Sequence, residues 1–486
     1  MDKRESHSMR FLFYAEKTKY KYIIWTCLIK CNVHFFLERR RGSMSSFFKG
    51  TLLLVITAFI GECLEFLINM VLAKELGELG MGQYMSILPF IILVVIIASF
   101  EMPISISKFV AEKEPKFHRS MLSYAMRMAI MFTILLMLVA ALIFTILPIY
   151  NEHHPSIRWV VLVLIPIISF SSIARGYFMG IQHMGKIALA NLVRRIVQLM
   201  LLVFVFKLFE FHIETSVLIA ICALIGSELI VFVYLIHAYI LQIRQLRKKV
   251  NIQLPPKTIR ASLMAVSVPM TGMRIFHAIS NTIEPFLIKA ALVASGITMT
   301  AATEQFGVLA GVAMTIGFFP AFIAHSLLTI LIPTVSELYA KKDQARLLQL
   351  LRKVMVITLM YGIPVCFVFY YFGEHLTRLF FESTTATYYL KLLWPFFLLH
   401  YFIIPLQAFL IGLGLVKDAF LHSIWATIFS FTLMYVLGSN LHFQMAGIII
   451  GMNVGAALLT SLHYLTVCKK IGITITLKKQ SNLLYD

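Results

Sequence analysis

The stretch TLLLVITAFIGECLEFLINMVLA, residues 51–73, decides the fold of this chain. It is long enough to cross a hydrocarbon core of about 30 Å as an α-helix, yet it carries Glu62 and Glu65 near its centre. The next segment, KELGELGMGQY, contains three glycines, each of which weakens a helix by about 1 kcal/mol relative to alanine. We therefore predict a helical hairpin in a membrane, with a non-helical connector at 74–84, Tyr84 at the interface, and a second apolar arm.

The composition of the whole chain agrees with a membrane protein. It is 59% hydrophobic and 14% charged, with a mean hydropathy of +0.85, and water does not solvate the surface of such a globule. The formal net charge of +20 would suggest a nucleic-acid partner in a soluble chain. Here the cations lie in short loops between apolar spans, where they set orientation, so no nucleic-acid partner is predicted.

Twelve apolar stretches predict an all-α polytopic protein with about twelve transmembrane helices. They lie at about 48–73, 84–107, 121–148, 159–180, 187–208, 214–241, 262–293, 304–334, 350–372, 388–412, 417–438 and 443–467. Lysine and arginine concentrate in alternate loops and in the C-terminal tail. Because these residues prefer the cytoplasmic side, we expect both termini to be cytoplasmic.

A long basic connector, QIRQLRKKVNIQLPPKTIR, divides the twelve spans into two groups of six. We predict an N-lobe at 44–243, a cytoplasmic linker at 244–260, a C-lobe at 261–468 and a cytoplasmic tail at 469–486. An even number of spans in each half makes the lobes parallel repeats, related by an axis along the membrane normal.

The basic leader at 1–43 has an apolar run that is too short to span a membrane. Consecutive arginine codons in ERRRGSM, just before Met44, are consistent with a ribosome-binding sequence. Our hypothesis is that Met44 is the true start of the protein. The alternative is a basic cytoplasmic tail.

Three of the apolar spans carry polar residues along one helix face. A charged side chain at mid-membrane costs at least about 2.5 to 3.5 kcal/mol, so such a face must point to protein or water. The stripes are Glu62, Glu65 and Asn69 in the first span, Asn191, Arg194, Arg195 and Gln198 in the fifth, and Arg274, His277, Asn281 and Glu284 in the seventh. The simplest geometry points all three stripes at one hydrated cavity between the lobes.

The chemistry of these stripes indicates an anionic ligand. Guanidinium groups form bidentate pairs with phosphate oxygens, so we predict that Arg194, Arg195 and Arg274 bind a lipid phosphate or diphosphate. The neighbouring amides and imidazole complete the predicted substrate site: Asn191, Gln198, His277 and Asn281. The carboxylates of Glu62, Glu65 and Glu284 are predicted to line the cavity and to bind a coupling cation, H⁺ or Na⁺.

Other interpretations of the same residues remain open. Arg194 and Arg195 would reach the cytoplasmic interface if the fifth span began later than predicted. Glu62 and Glu65 would form a hydrogen-bonded pair that fixes helix packing. Glu101 and Glu228 are lone carboxylates, for which a structural and a functional role are equally open.

Several motifs resemble a known family. These are LGELGMGQY at 76–84, ILP at 87–89 and EMPISISKFVAE at 101–112, then RGYFMGIQHM at 175–184, FFPAFIAHSLLTILIPTVSELYA at 318–340 and PLQAFLIGLGLVKDA at 405–419. Together they resemble the stage V sporulation protein B family, a branch of the superfamily that contains lipid-linked oligosaccharide flippases and drug-extruding antiporters. The resemblance covers nearly everything after Met44. It implies a two-lobe transporter.

We therefore expect a flippase that moves a lipid-linked glycan, or a similar anionic lipid precursor, across the bacterial cytoplasmic membrane during envelope or spore-wall assembly. The alternative is an ion-coupled exporter of organic cations that uses Glu62, Glu65 or Glu284, although the arginines oppose a cationic substrate. We predict no enzymatic activity, because the loops are short and carry no paired acids. The sequence also predicts no cofactor, no metal, no ATP-binding loop, membrane lipid as a partner, and a monomer.

Overall fold

The computed structural model describes residues 44–146, 154–209, 211–247, 252–380 and 384–474. The leader at 1–43 and most of the tail lie outside these ranges, and the hypothesis that Met44 is the true start stays a prediction. The described elements are helices. This is the all-α architecture that the sequence predicts.

Six helices form the N-terminal half. They are α1 (Met44–Ser99), α2 (Met102–Glu112), α3 (Pro115–Ile146), α4 (Ile157–Gly180), α5 (Met184–Leu208) and α6 (Ile213–Arg247). The C-terminal half contains α7 (Pro256–Ala294), α8 (Met299–Gly307), a π-helical segment (Val308–Ala313), α9 (Met314–Phe318), α10 (Ala321–Ala340), α11 (Gln344–Thr377), α12 (Thr384–Leu392), α13 (Trp394–Gly412), α14 (Val416–Gly438) and α15 (Gln444–Ile471).

Eleven segments of the described chain are long and apolar enough to cross a membrane. The first, Ile56–Glu112, contains both arms of the hairpin, and α7 is not among the eleven. Two predicted spans are interrupted. The span at 304–334 is divided by the π-helical segment and by a break at 319–320, and the span at 388–412 is divided at Leu393. Counting both arms of α1, adding α7 and joining the interrupted pieces gives the twelve predicted spans.

The hairpin connector differs from the prediction. Gly77 alone interrupts the helix, with φ 66° and ψ −173°, and the chain is helical again through Gly80 and Gly82. The prediction of a non-helical connector at 74–84 was therefore wrong beyond Gly77. Tyr84 is also buried, at 2% exposure, rather than interfacial. The glycine at position 82 is explained by packing, because a Cβ there would overlap the carbonyl group of Thr303.

The two halves repeat one local arrangement. Gly180 at the end of α4 packs on Val110 of α2, and Gly412 at the end of α13 packs on Val335 of α10. A Cβ added at either glycine would lie only 2.5 or 2.7 Å from the valine Cβ. Two residues after each glycine the chain turns through a left-handed residue, with φ 59° at position 182 and 79° at position 414. This local likeness is in keeping with two lobes, and the parallel repeat itself stays a prediction.

The largest apolar cluster joins the two halves. It includes Ile68 and Leu72 of α1 together with Leu309 and Val312 of the π-helical segment. A second cluster consists mostly of residues of the N-terminal half and also includes Ile259 and Leu263 of α7, whereas a third lies within the C-terminal half. The cavity described next lies beside the largest cluster, which both halves share.

Candidate functional site

A cavity of about 720 Å³ lies between the two halves. Its walls come from α1, α7, the α8–α9 region, α13, α14 and α15. The structure brings six of the predicted site residues together at this cavity: Glu62, Glu65 and Asn69 from α1, and His277, Asn281 and Glu284 from α7. The 3.6-residue period of each helix presents its polar members on one face, and the two faces meet here.

The rest of the lining is apolar and aromatic. It includes Phe66, Met85, Phe318, Phe319, Phe396 and Met452. His400 also lines the cavity and stacks on Phe396 at 6.0 Å between ring centroids. The cavity is therefore amphipathic, with a polar stripe on one side and aromatic rings and flexible methionine side chains on the other.

Two prolines add backbone acceptors to the lining. Pro89 in α1 and Pro285 in α7 both line the cavity, and so do Met85 and Asn281, the residues four positions before them. Proline has no N–H, so the carbonyl groups of Met85 and Asn281 lose their usual helical donor. Each carbonyl is then a polar group that a ligand or a cation can use.

Arg195 of α5 reaches the α1 stripe from outside the cavity. Its guanidinium lies 3.3 Å from the Glu65 carboxylate and 3.7 Å from the Glu62 carboxylate, and it donates to the backbone carbonyl of Gly61. Arg195 is not one of the described residues that line the cavity, so a molecule bound there contacts Glu62 and Glu65 before it reaches Arg195. Glu62 and Glu65 thus both line the cavity and tie α1 to α5.

The remaining polar residues of the fifth span face other helices of the N-terminal half. Arg194 Nε lies 3.5 Å from the Glu228 carboxylate, which Arg175 also approaches at 3.8 Å. Arg175 in turn donates to the Asn191 side-chain oxygen at 2.8 Å. Glu228, expected to be a lone carboxylate, is shared by two arginines. Gln198 is buried and belongs to α5, as do Asn191 and Arg194.

This arrangement argues against the view that Arg194 and Arg195 extend to the interface. Their side chains are only 23% and 21% exposed, and both guanidiniums contact carboxylates. Neither residue, nor Asn191 or Gln198, belongs to the described lining of the cavity. Their predicted contact with substrate therefore stays a prediction.

Arg274 of α7 pairs with Glu101, which immediately precedes α2. The arginine side chain is 53% exposed, whereas the Glu101 residue is only 2% exposed. Phe100 and Glu101 both have φ 45°, a left-handed conformation that non-glycine residues rarely adopt. The second lone carboxylate of the sequence is therefore also engaged, in an ion pair between the two halves.

Glu284 contrasts with these paired carboxylates. It lines the cavity, and among the described residues it makes no ion pair and no hydrogen bond. The described part of the chain also holds no group of three or more His, Cys, Asp or Glu residues that would bind a metal ion. In this conformation the three predicted headgroup arginines are each paired, and Glu284 is available to a ligand.

With this geometry established, the comparisons with known proteins identify the family. The family described as "Polysaccharide biosynthesis protein" matches residues 47–339, and the family described as "MatE" matches residues 292–436. The chain belongs to the polysaccharide biosynthesis protein family. The resemblance found in the motifs is confirmed.

Two curated relatives from Bacillus subtilis (strain 168) are similar over most of this member of the family. Sporulation protein YkvU is 52% identical over 434 residues, which cover 89% of this chain and 98% of the relative. Stage V sporulation protein B is 30% identical over 450 residues, which cover 89% of this chain and 86% of the relative.

Solved structures share the fold. An inward-facing multidrug resistance MATE family transporter of the MOP superfamily superposes with a TM-score of 0.68 at 16% identity, covering 86% of this chain and 96% of that chain. An outward-facing MATE family transporter gives a TM-score of 0.62 at 17% identity, covering 89% of this chain and 97% of that one. The family member described here is a multi-pass membrane transporter, as its sequence predicts, and its relatives are transporters and sporulation proteins rather than enzymes.

Proposed function

We propose that this protein is a flippase that carries an anionic lipid-linked glycan, or a similar lipid precursor, across the bacterial cytoplasmic membrane. The observation that carries this proposal is the amphipathic cavity between the halves. Its polar stripe suits a headgroup, and its aromatic and methionine wall suits the first part of a lipid tail. The family and the names of the two sporulation relatives support a substrate used in envelope or spore-wall assembly.

In this proposal the headgroup lies against α1 and α7. Arg274 is one helical turn before His277, which lines the cavity, and its half-exposed guanidinium offers further N–H donors to a phosphate. Arg195 lies directly behind Glu62 and Glu65 and contributes positive charge at that wall. Glu284, which has no partner among the described residues, is proposed to bind the coupling cation, H⁺ or Na⁺.

The halves are proposed to open the cavity to one side at a time. Because lysine and arginine prefer the cytoplasmic side, we propose that the basic loops after α2 and before α7 are cytoplasmic and that the hairpin of α1 is on the outer side. Outward movement of an anion is favoured by the inside-negative potential, by about 2.3 kcal/mol per charge for each 100 mV.

The test is reconstitution in vesicles with fluorescent undecaprenyl diphosphate N-acetylglucosamine. We expect wild-type vesicles to translocate this lipid, and Arg274→Gln to slow translocation by about tenfold, equivalent to about 1.4 kcal/mol. Arg378→Gln is the matched control, because that arginine forms an exposed i,i+4 pair with Glu374. Wild-type vesicles that are no faster than protein-free vesicles would refute the proposal.

A second function is favoured by one specific observation. Three carboxylates line the cavity while the guanidiniums are paired, which suits an organic cation. Efflux of ethidium from cells separates the two functions. Efflux that is lost in Glu284→Gln but unchanged in Arg274→Gln would support a cation exporter, whereas absence of ethidium efflux in wild type would support the flippase.

A further inference from the structure

We propose that Glu101 is a gating residue: it holds Arg274 while the cavity is empty, and the anionic headgroup of the substrate takes Arg274 from it and so releases α2 from α7. This inference rests on the proposed function, because it requires an anionic substrate. It assigns a role to a carboxylate for which the sequence left structure and function equally open.

The contact concerned, here called the polar interface, consists of Glu101 and Ser105 on one side and Ser267 and Arg274 on the other. The Ser105 and Ser267 hydroxyl oxygens are 2.5 Å apart, and the Arg274 guanidinium contacts the Glu101 carboxylate. Ser105 belongs to α2 and Ser267 to α7. These polar contacts join the two halves of the chain, and a movement of one half against the other must break them.

The two members of the ion pair differ in burial, which gives the pair a direction. Glu101 and Ser105 are each 2% exposed and Ser267 is fully buried, whereas half of the Arg274 side chain is exposed. Arg274 lies one helical turn before His277, which lines the cavity, and in this proposal a phosphate at that end of the cavity reaches the arginine while the buried carboxylate does not follow. If Arg274 leaves, the Glu101 carboxylate remains buried with neither a partner nor water, which is unfavourable.

The loss of Arg274 would therefore destabilise the closed polar interface. Water reaches Glu101 only if α2 and α7 separate, so hydration of the carboxylate and opening of the interface are the same event. A ligand changes a conformational equilibrium only if it interacts more favourably with one conformation than with the other. In this proposal the substrate interacts more favourably with the open conformation, in which Arg274 has left Glu101.

The backbone beside Glu101 is suited to such a movement. Phe100 and Glu101 are consecutive left-handed residues between the end of α1 and the start of α2. A left-handed conformation is unfavourable for a residue other than glycine. A change of φ and ψ at these two positions would relieve that cost and swing α2 relative to α1, so a hinge lies next to the ion pair that controls it.

The first experiment immobilises the polar interface. Ser105→Cys/Ser267→Cys is made in a background in which the six native cysteines are replaced, and a disulfide is formed with copper phenanthroline. We expect translocation in vesicles to fall by about tenfold or more and to recover with dithiothreitol. Full-rate translocation by the cross-linked protein would overturn the proposal.

The matched control is Thr133→Cys/Ser169→Cys. The hydroxyl oxygens of this pair are 2.7 Å apart and also buried, but they join α3 to α4 within one half. We expect this disulfide to form and to leave translocation unchanged, because the cycle does not separate these helices. Equal inhibition by both disulfides would show that cross-linking itself stops transport and would remove the support for gating.

The second experiment tests the exchange of Arg274 and needs no transport. Farnesyl diphosphate is the probe and farnesol its uncharged control. We expect the diphosphate to slow disulfide formation between positions 105 and 267 by about threefold or more, and farnesol to have no effect. With Glu101→Gln added, disulfide formation should be slow without any probe, and the diphosphate should slow it no further.

Glu112→Gln is the control for that substitution, because Glu112 lies at the other end of α2 from Glu101, in an exposed pair with Lys108. It should keep the response to farnesyl diphosphate. If the diphosphate does not change the cross-linking rate in a protein that translocates the lipid-linked probe, only the gating proposal is refuted. If the protein does not translocate the lipid-linked probe but farnesyl diphosphate still slows disulfide formation, the proposed function is refuted and the gating proposal is retained. If the double-cysteine protein does not fold, spin labels at the exposed residues Lys108 and Arg260 report the same opening.

Discussion

The two halves meet at two interfaces of opposite character. At the glycine interface, Gly82 of α1 packs on Thr303 of α8, and Gly307 packs on the backbone of Glu78. A Cβ at either glycine would overlap a backbone carbonyl. At the polar interface, Glu101 and Arg274 form an ion pair beside the Ser105–Ser267 hydrogen bond. The first contact depends on shape and the second on charge.

This difference indicates how an anionic substrate acts on one interface and leaves the other unaffected. A phosphate competes for a guanidinium but has no way to compete for close packing between backbones. We expect variants at the two interfaces to distinguish the effect of close packing from the effect of charge.

The largest expected effect is at the glycine interface. Gly307→Val places a branched side chain where the Glu78 carbonyl lies, and such overpacking costs about 1 to 3 kcal/mol or more. We expect translocation to be lost and the distance between spin labels at positions 74 and 300 to increase. Gly272→Ala in α7 is the control, because nothing lies within 4 Å of its Cβ. Normal translocation by Gly307→Val would show that close packing there is dispensable.

The next effect is at the polar interface. Glu101→Lys places a cation against Arg274, and we expect translocation to fall by about tenfold or more because the interface no longer closes. The exchange Glu101→Arg/Arg274→Glu restores opposite charges and should recover disulfide formation between positions 105 and 267, whereas translocation should stay slow because the headgroup has lost its arginine. If the exchange does not recover disulfide formation relative to Glu101→Lys, the contact is not governed by charge.

An intermediate effect is expected where charge reaches the cavity wall. Arg195→Gln leaves Glu62 and Glu65 without their guanidinium, so the wall becomes more acidic and we expect translocation of the anionic probe to slow by about threefold to tenfold. Arg194→Gln should have less effect, because its partner Glu228 lies outside the described lining. Initial rates in the same vesicles measure both, and the reverse order would place the headgroup near Arg194.

The smallest effect is expected away from both interfaces. Tyr401→Phe removes the hydrogen bond from the tyrosine hydroxyl to the Gly317 carbonyl, which is 2.6 Å long and lies within the C-terminal half. We expect a loss of about 0.5 to 1.5 kcal/mol in stability, seen as a lower unfolding temperature in detergent. The cross-linking rate between positions 105 and 267 should not change. A changed rate would show that the interfaces are coupled to the interior of one half.

Helical periodicity predicted part of the lining of the cavity. Glu62 and His277 meet at the cavity because spacing along a helix fixes which residues share a face. The partners of Arg195 and Arg274 were not predictable in this way, because they depend on which helices cross and at what height. Glu101 gave no pattern at all, since its partner is 173 residues away along the chain.

The structural role of each glycine was also not predictable from the sequence alone. Gly77, Gly80 and Gly82 were interpreted together as helix breakers, yet only Gly77 breaks the helix. Gly82 is required by the close approach of Thr303, a residue from the other half. Intrinsic propensity describes a residue in its own helix, and tertiary packing decided the role of this glycine.

The most direct test of the account measures both interfaces in one preparation. Spin labels are placed at the exposed residues Lys74 and Thr300 across the glycine interface, and at Lys108 and Arg260 across the polar interface, in lipid nanodiscs. We predict that farnesyl diphosphate lengthens the Lys108–Arg260 distance and leaves the Lys74–Thr300 distance unchanged. Lengthening of both distances together, or of neither, would contradict a cavity that opens to one side at a time under control of its anionic ligand.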